Sequence, residues 1–171
     1  MPAPGKEDIL KAAERIRPYL HRTPVLTSEI INTITGAEIY FKCENFQKAG
    51  AFKSRGATNA VFSLGPDELM KGVATHSSGN HAAALARAAR LKQIPAYIVM
   101  PENSSKVKIE AVKHYGGNIT FCTPTLEARE ETLKMILCQT HAFEIHPYND
   151  YKIIAGQATA ALELTEEKPG L

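Results

Sequence analysis

The sequence predicts an α/β fold, parallel strands flanked by helices, and three observations carry that expectation. From Gly72 onward, short apolar runs rich in Val and Ile alternate with longer stretches whose apolar residues recur at helical spacing. Gly, Pro, Ser and Thr punctuate the joints between them. At 171 residues, with 44% hydrophobic and 22% charged side chains, the chain has the material for one sizeable core or two small ones. Strands and helices that alternate in this way are accommodated by a parallel sheet with right-handed crossovers.

Taken in order, Pro4 and Gly5 precede a predicted helix over 6–20, where Ile9, Leu10, Ala13, Ile16 and Leu20 share one face. Thr23-Pro24-Val25-Leu26 reads as extended, and Ser28 is placed to cap a short helix through 33 that Gly36 stops. A strand is predicted over 38–43 and a helix over 57–64, which Gly65-Pro66 breaks. Strands then follow over 73–75, 96–100, 118–122 and 142–144, and helices over 81–91, 105–115 and 125–140. Ser104 is expected to cap the second of these helices, with Gly116-Gly117 ending it. Thr123 is expected to cap the third, with Pro124 at its first position. A last helix covers 152–164, residues 166–171 are polar, and the composition shift over 65–71 is the best boundary candidate.

The formal charge of +2 comes from interspersed residues of both signs, so no basic face argues for nucleic acid or an anionic membrane. No apolar run approaches a membrane span, and the N-terminus lacks the apolar core of a secretion signal, which makes the cytoplasm the expected location. Cys43, Cys122 and Cys138 form no CxxC pair and sit in apolar stretches, so buried thiols in a reducing compartment are expected. His76, His114 and His146 read as exposed or bonded to backbone carbonyls. No histidine pair has metal-ligand spacing, so no metal site is assigned. GxSxG, GxGxxG and GxxxxGK are all missing.

Two stretches carry chemistry. Lys53 follows the predicted strand and so points into the crevice where open α/β sheets place ligands. Beside Ala51 and Phe52 its ammonium loses hydration, which lowers its pKa and frees an amine able to condense with an aldehyde. A solvated loop lysine fits the same residues. Ser77-Ser78-Gly79-Asn80-His81 lies at a strand-to-helix turn, where unpaired N–H groups and the helix dipole suit an anion such as a substrate carboxylate. A helix cap without a ligand fits them too.

Together, Phe52-Lys53-Ser54-Arg55-Gly56-Ala57 and Ser77-Ser78-Gly79-Asn80-His81 resemble the paired signatures of the serine racemase and serine/threonine ammonia-lyase group of fold-type II pyridoxal-phosphate enzymes. Arg22-Thr23-Pro24-Val25 is similar to that family near its start. The resemblance runs from the first helix to the last residue and covers about the first half of the family's usual length. It implies a two-domain, tryptophan-synthase-beta-like architecture. In it, 1–70 would be the N-terminal part of a large domain, 71–148 a complete small substrate-binding domain, and 149–171 the start of the return into the large domain.

The same resemblance implies pyridoxal 5′-phosphate as cofactor, with Lys53 bonded to its aldehyde, Phe52 packed on its ring and Asn80 hydrogen-bonded to the ring's 3′-oxygen. Lys53 and Ser78 would exchange the α-proton on opposite faces of the substrate. Ser77, Ser78, Gly79, Asn80 and His81 would bind the substrate, joined by Arg129 and Gln157. For Arg129, an exposed helix arginine between Glu127 and Glu130 remains open. The implied activity is racemisation of serine or its dehydration to pyruvate and ammonia, with threonine or hydroxyaspartate as alternative substrates and a homodimer as the complete enzyme. A non-catalytic binding half is the alternative from another class, because the glycine-rich phosphate loop and the partner of the pyridine nitrogen are not found in these residues. The resemblance further implies a divalent cation such as Mg and ATP as effectors. The cation's ligands would lie outside this chain, and Ala82, Ala83 and Ala158 depart from the group's pattern.

Overall fold

The computed structural model describes residues 3–171, and at its centre is a four-stranded, wholly parallel sheet in the order β5-β4-β3-β6. These strands are Val73–His76 (β3), Ala96–Pro101 (β4), Asn118–Cys122 (β5) and Phe143–Glu144 (β6). Helices Asn80–Lys92 (α5), Lys106–His114 (α6) and Leu126–Thr140 (α7) connect them. Strand periodicity divides the core. Val73, Ile98 and Met100 face α5 together with Val112 of α6, whereas Ala74, Val99 and Cys122 face Leu133 and Ile136 of α7. The chain steps outward from β3 to β5, then crosses back with α7 to set β6 on the other side of β3. The carboxyl ends of β3 and β6 therefore flank the point where strand order reverses, which is the ligand crevice of open α/β sheets.

The buried residues of α5 are mostly alanine, with Ala82, Ala83, Ala84, Ala86, Ala88 and Ala89 beside His81 and Leu85. Such small side chains let a second helix layer approach. That layer comprises Lys6–Ile16 (α1), Lys53–Phe62 (α3) and Tyr151–Glu167 (α8). Where α3 crosses α8 the backbones nearly touch, since a Cβ on Gly156 would lie 2.7 Å from the Arg55 carbonyl oxygen. The remaining elements are Glu29–Thr35 (α2), Pro66–Met70 (α4) and an antiparallel pair, Val25–Leu26 (β1) with Phe41–Lys42 (β2). Ser28 caps α2 by accepting from the Ile31 amide, and Gly36 ends it at φ 67°, both as the sequence predicts.

Six expectations are corrected. The first helix stops at Ile16 and continues as a tight turn over Arg17–Tyr19 that accommodates Pro18. The strand expected over 38–43 shrinks to Phe41–Lys42 because its only partner is the two-residue β1. Helix α3 begins at Lys53, four residues early. Its unpromising Ser54-Arg55-Gly56 turn is held by tertiary bonds: Ser54 Oγ to the Lys48 carbonyl, and Gly56 N to Gln157 Oε1 at 3.1 Å. Thr125, not Thr123, caps α7 through the Ala128 amide, while Ser105 rather than Ser104 precedes α6. Finally, only Cys122 of the three cysteines is buried. Cys43 is half-buried, and Cys138 is exposed because it follows Ile136 by two residues and so faces away from the sheet.

Arg55 is the largest of the fully buried side chains and ties these layers together. Its guanidinium makes bidentate contacts to Glu44 (2.8 Å twice) and Glu163 (2.8 Å twice) and reaches Thr159 Oγ1 at 3.2 Å. Burial opposes its charge, but the two carboxylates outweigh burial and raise its pKa. Lys42 joins the network through Glu163 at 2.8 Å and Glu167 at 3.2 Å, so the short β1–β2 pair is pinned to α8.

Candidate active site

The two signature stretches converge at the switch point. After β3, the Ser77 amide still donates to the Val99 carbonyl (3.0 Å), and the Gly79 amide then turns onto Ser77 Oγ (3.2 Å). Helix α5 opens at Asn80 with no side-chain cap, which leaves its first N–H groups and dipole end available to an anion. Ser78 is exposed here, and a Cβ added to Gly79 would meet nothing within 4 Å, so the turn faces open space.

Lys53 enters from a different direction than the sequence suggests. It is the first residue of α3, separated from β2 by two tight turns, and does not extend from a strand end. Its Nζ donates to the Pro147 carbonyl at 2.7 Å and lies 5.4 Å from the centroid of the Phe52 ring. Burial lowers its pKa. Phe52 leaves 42% of its surface exposed, an aromatic face standing open beside the amine.

Three histidines floor this region. His81, 2% exposed, sets Nε2 at 3.4 Å from the Ile145 carbonyl and leaves Nδ1 buried without a partner. Burial pushes its pKa down to about 4 against the pull of that carbonyl, so its ring is neutral. His76 is half-buried, and burial followed by the neighbouring His146 lowers its pKa. His146 lies edge-on to His76, ring centroids 6.4 Å apart. It is half-buried, and its Nδ1 accepts the amides of Tyr148 (3.3 Å) and Asn149 (2.8 Å), in place of the expected exposure or carbonyl bond. His114 is exposed.

Of the remaining sequence candidates, Asn80 turns its Oδ1 to the Nζ of Lys108 on α6, a cation that sequence reasoning missed and that only the folded chain brings to this turn. Arg129 is half-buried on the first turn of α7, with its Nε lacking a partner, which departs from the exposed-arginine alternative. Gln157 stands behind the lysine, capping the first turn of α3, and does not join Ser77, Ser78, Gly79, Asn80 and His81. Ile145 and Pro147 were also missed. They are apolar and carry no motif, yet Ile145 contacts His81 and Pro147 contacts Lys53, so one short segment links both signatures.

A family model described as pyridoxal-phosphate dependent enzyme matches residues 16–170. The chain belongs to the pyridoxal-phosphate dependent enzyme family. A β-hydroxyaspartate dehydratase of Paracoccus denitrificans is 53% identical over 168 residues, spanning 98% of this chain and 53% of that protein. Serine racemase of Arabidopsis thaliana is 55% identical over 159 residues, spanning 93% of this chain and 48% of that one. Among solved structures, maize serine racemase superposes with a TM-score of 0.96 at 50% identity, covering 99% of this chain and 51% of its own. A T.th. threonine deaminase gives 0.88 at 38% identity, covering 96% and 52%. The chain therefore spans about half the length of the relatives it matches. No helix among the described residues is long and apolar enough to cross a membrane.

The family's cofactor fits what the chain presents. A partly desolvated amine stands where an aldehyde could reach it, an open aromatic face lies alongside, and the uncapped α5 turn faces unfilled space.

Proposed function

We propose that this chain forms the lysine-bearing and substrate-binding part of a pyridoxal-phosphate-dependent racemase and ammonia-lyase acting on serine. The observation that carries this reading is the coupling of Lys53 to the α5 anion turn through residues 145–147. Lys53 would hold the cofactor aldehyde, Phe52 its ring face and Asn80 its ring oxygen. When bound, pyridoxal phosphate supplies an electron sink for negative charge at the substrate α-carbon.

The remaining work falls to side chains of this chain. The open N–H groups of α5, with Ser77, bind and orient the substrate carboxylate. Lys53 Nζ, its pKa lowered by burial, takes the α-proton on one face, and exposed Ser78 Oγ serves the other. Proton exchange on both faces racemises, whereas loss of the β-hydroxyl after the lysine-side step dehydrates. Neutral His81 adds no charge beneath the turn. Residues 71–148 form the substrate-binding unit in this reading, with 1–70 and 149–171 belonging to a larger one, in a homodimer located in the cytoplasm.

β-Hydroxyaspartate is the second substrate reading, favoured by the 53% identity to a dehydratase of that compound. The test is borohydride reduction with pyridoxal phosphate, followed by peptide mass spectrometry, on the parent and Lys53→Ala. A pyridoxyl label on Lys53 that the variant lacks is expected. A label spread over other lysines with none on Lys53 overturns the reading.

A further inference from the structure

We propose that His146 is a positioning residue for Lys53: by accepting two backbone amides it shapes the strap at 146–149 so that the Pro147 carbonyl holds the lysine amine. The inference rests on Lys53 as the reactive amine. The observations that carry it are geometric. His146 Nδ1 accepts from Asn149 N at 2.8 Å and Tyr148 N at 3.3 Å, folding the chain back around its own ring. Between donors and ring lies Pro147, whose carbonyl receives Lys53 Nζ at 2.7 Å.

A ring nitrogen that accepts N–H bonds carries no hydrogen, so neutral His146 is protonated at Nε2. The ring cannot turn freely either. Tyr148 packs on it edge-to-face with centroids 4.5 Å apart, and His76 does so at 6.4 Å. The segment before it is fixed independently, because the Ile145 amide donates to Ala74 and its carbonyl faces His81. Pro147 has no N–H and its φ is fixed by its ring, so it cannot anchor the strap by laddering. The acceptor on His146 is what closes the loop. Without it, the Pro147–Tyr148 peptide loses the hydrogen bond that sets the direction of the Pro147 carbonyl, and the lysine loses the acceptor for its amine.

The test needs no cofactor, so its outcome is separable from that of the functional reading. Lysines are ¹³C-methylated, the Lys53 signal is assigned with Lys53→Arg, and its titration is followed by NMR beside amide exchange at Tyr148 and Asn149. His146→Phe keeps a flat ring but removes the acceptor, whereas His146→Asn keeps an acceptor near the same place. In His146→Phe, both amides should exchange roughly fivefold faster or more, the change expected from losing about one net hydrogen bond. Its Lys53 pKa should fall further, because the ammonium loses the carbonyl that favours its charged form. His146→Asn should retain most of the protection and the parent Lys53 titration. If His146→Phe does not fold, His146→Ala carries the same comparison, with added imidazole expected to restore the parent titration. An unchanged Lys53 titration in a folded variant that lacks the acceptor overturns the proposal, as does unchanged exchange at 148 and 149.

Discussion

Gly56 and Gly156 meet at van der Waals contact where α3 crosses α8: a Cβ on Gly156 would fall 2.7 Å from the Gly56 Cα and 2.8 Å from the Asn59 Cβ. The neighbours are backbone and a helix-borne Cβ, so neither can swing aside. Gly156→Ala should therefore force the helices apart and lower stability by about 1–3 kcal/mol, the usual range for overpacking. Denaturant midpoints of variant and parent measure this, and equal midpoints at equal slopes would show that the crossing has room for a methyl group.

The Arg55 network makes a prediction about acid. Desolvation raises the Glu163 pKa, but hydrogen bonds from Arg55 and Lys42 outweigh it and hold the carboxyl below its ordinary 4.5. A depressed folded pKa contributes stability above the unfolded value and loses it as pH falls through the folded one. Glu163→Gln should thus destabilise at neutral pH by on the order of 2 kcal/mol, as for a lost charged hydrogen bond. The gap to the parent should close as pH drops below 4.5. A gap of constant size from neutral to strongly acidic pH would remove Glu163 from that role.

Ser78 is exposed on the α5 turn and Lys53 opens α3; the proposed function gives them opposite faces of the substrate. In the complete enzyme, Ser78→Ala should abolish D-serine formation while part of the L-serine dehydration persists, since only racemisation needs a proton donor on both faces. Chiral chromatography and pyruvate release measure the two rates. Equal loss of both would reassign Ser78 to carboxylate binding.

The 171-residue chain exposes apolar side chains on α2 and the β1–β2 pair: Ile34 at 78%, Ile30 at 73%, Leu26 at 49% and Phe41 at 40%. A cluster of this kind signals a covering surface. The chain by itself should self-associate in light scattering, and Ile30→Lys with Ile34→Lys should shift it toward monomer. It should also hold pyridoxal phosphate weakly, because a phosphate dianion needs convergent donors and the uncapped α5 turn is assigned to the substrate carboxylate. Tight stoichiometric cofactor binding by a monomer would refute both expectations.

The alternation from β3 to α7 is legible in the sequence because each element obeys one clean period and ends at turn residues, so boundaries fall within a residue or two. Asn118–Cys122 is placed to the residue. The start of α3 is not legible, because Ser54 and Gly56 are poor helix formers held there by Lys48 and Gln157, one of them 101 residues away. The loss of hydration at Lys53 is legible from its neighbours Ala51 and Phe52, but its direction of entry is not. The parts that join the two signatures, Ile145 on His81 and Pro147 on Lys53, are pairings between elements. No local pattern encodes them.

The alanine face of α5 bears on how the site responds to strain. Alanine has a single side-chain arrangement, so a surface built from it has no rotamers to exchange when a neighbour shifts. A displacement of α3 against α5 cannot be absorbed locally and must pass along the helix as a rigid movement. The recipient is the turn at its head, Ser77 to Asn80. Sub-ångström motion of the lysine-bearing helix would thus reach this turn undamped, making the distance between the Lys53 amine and the turn a property of the whole helix layer.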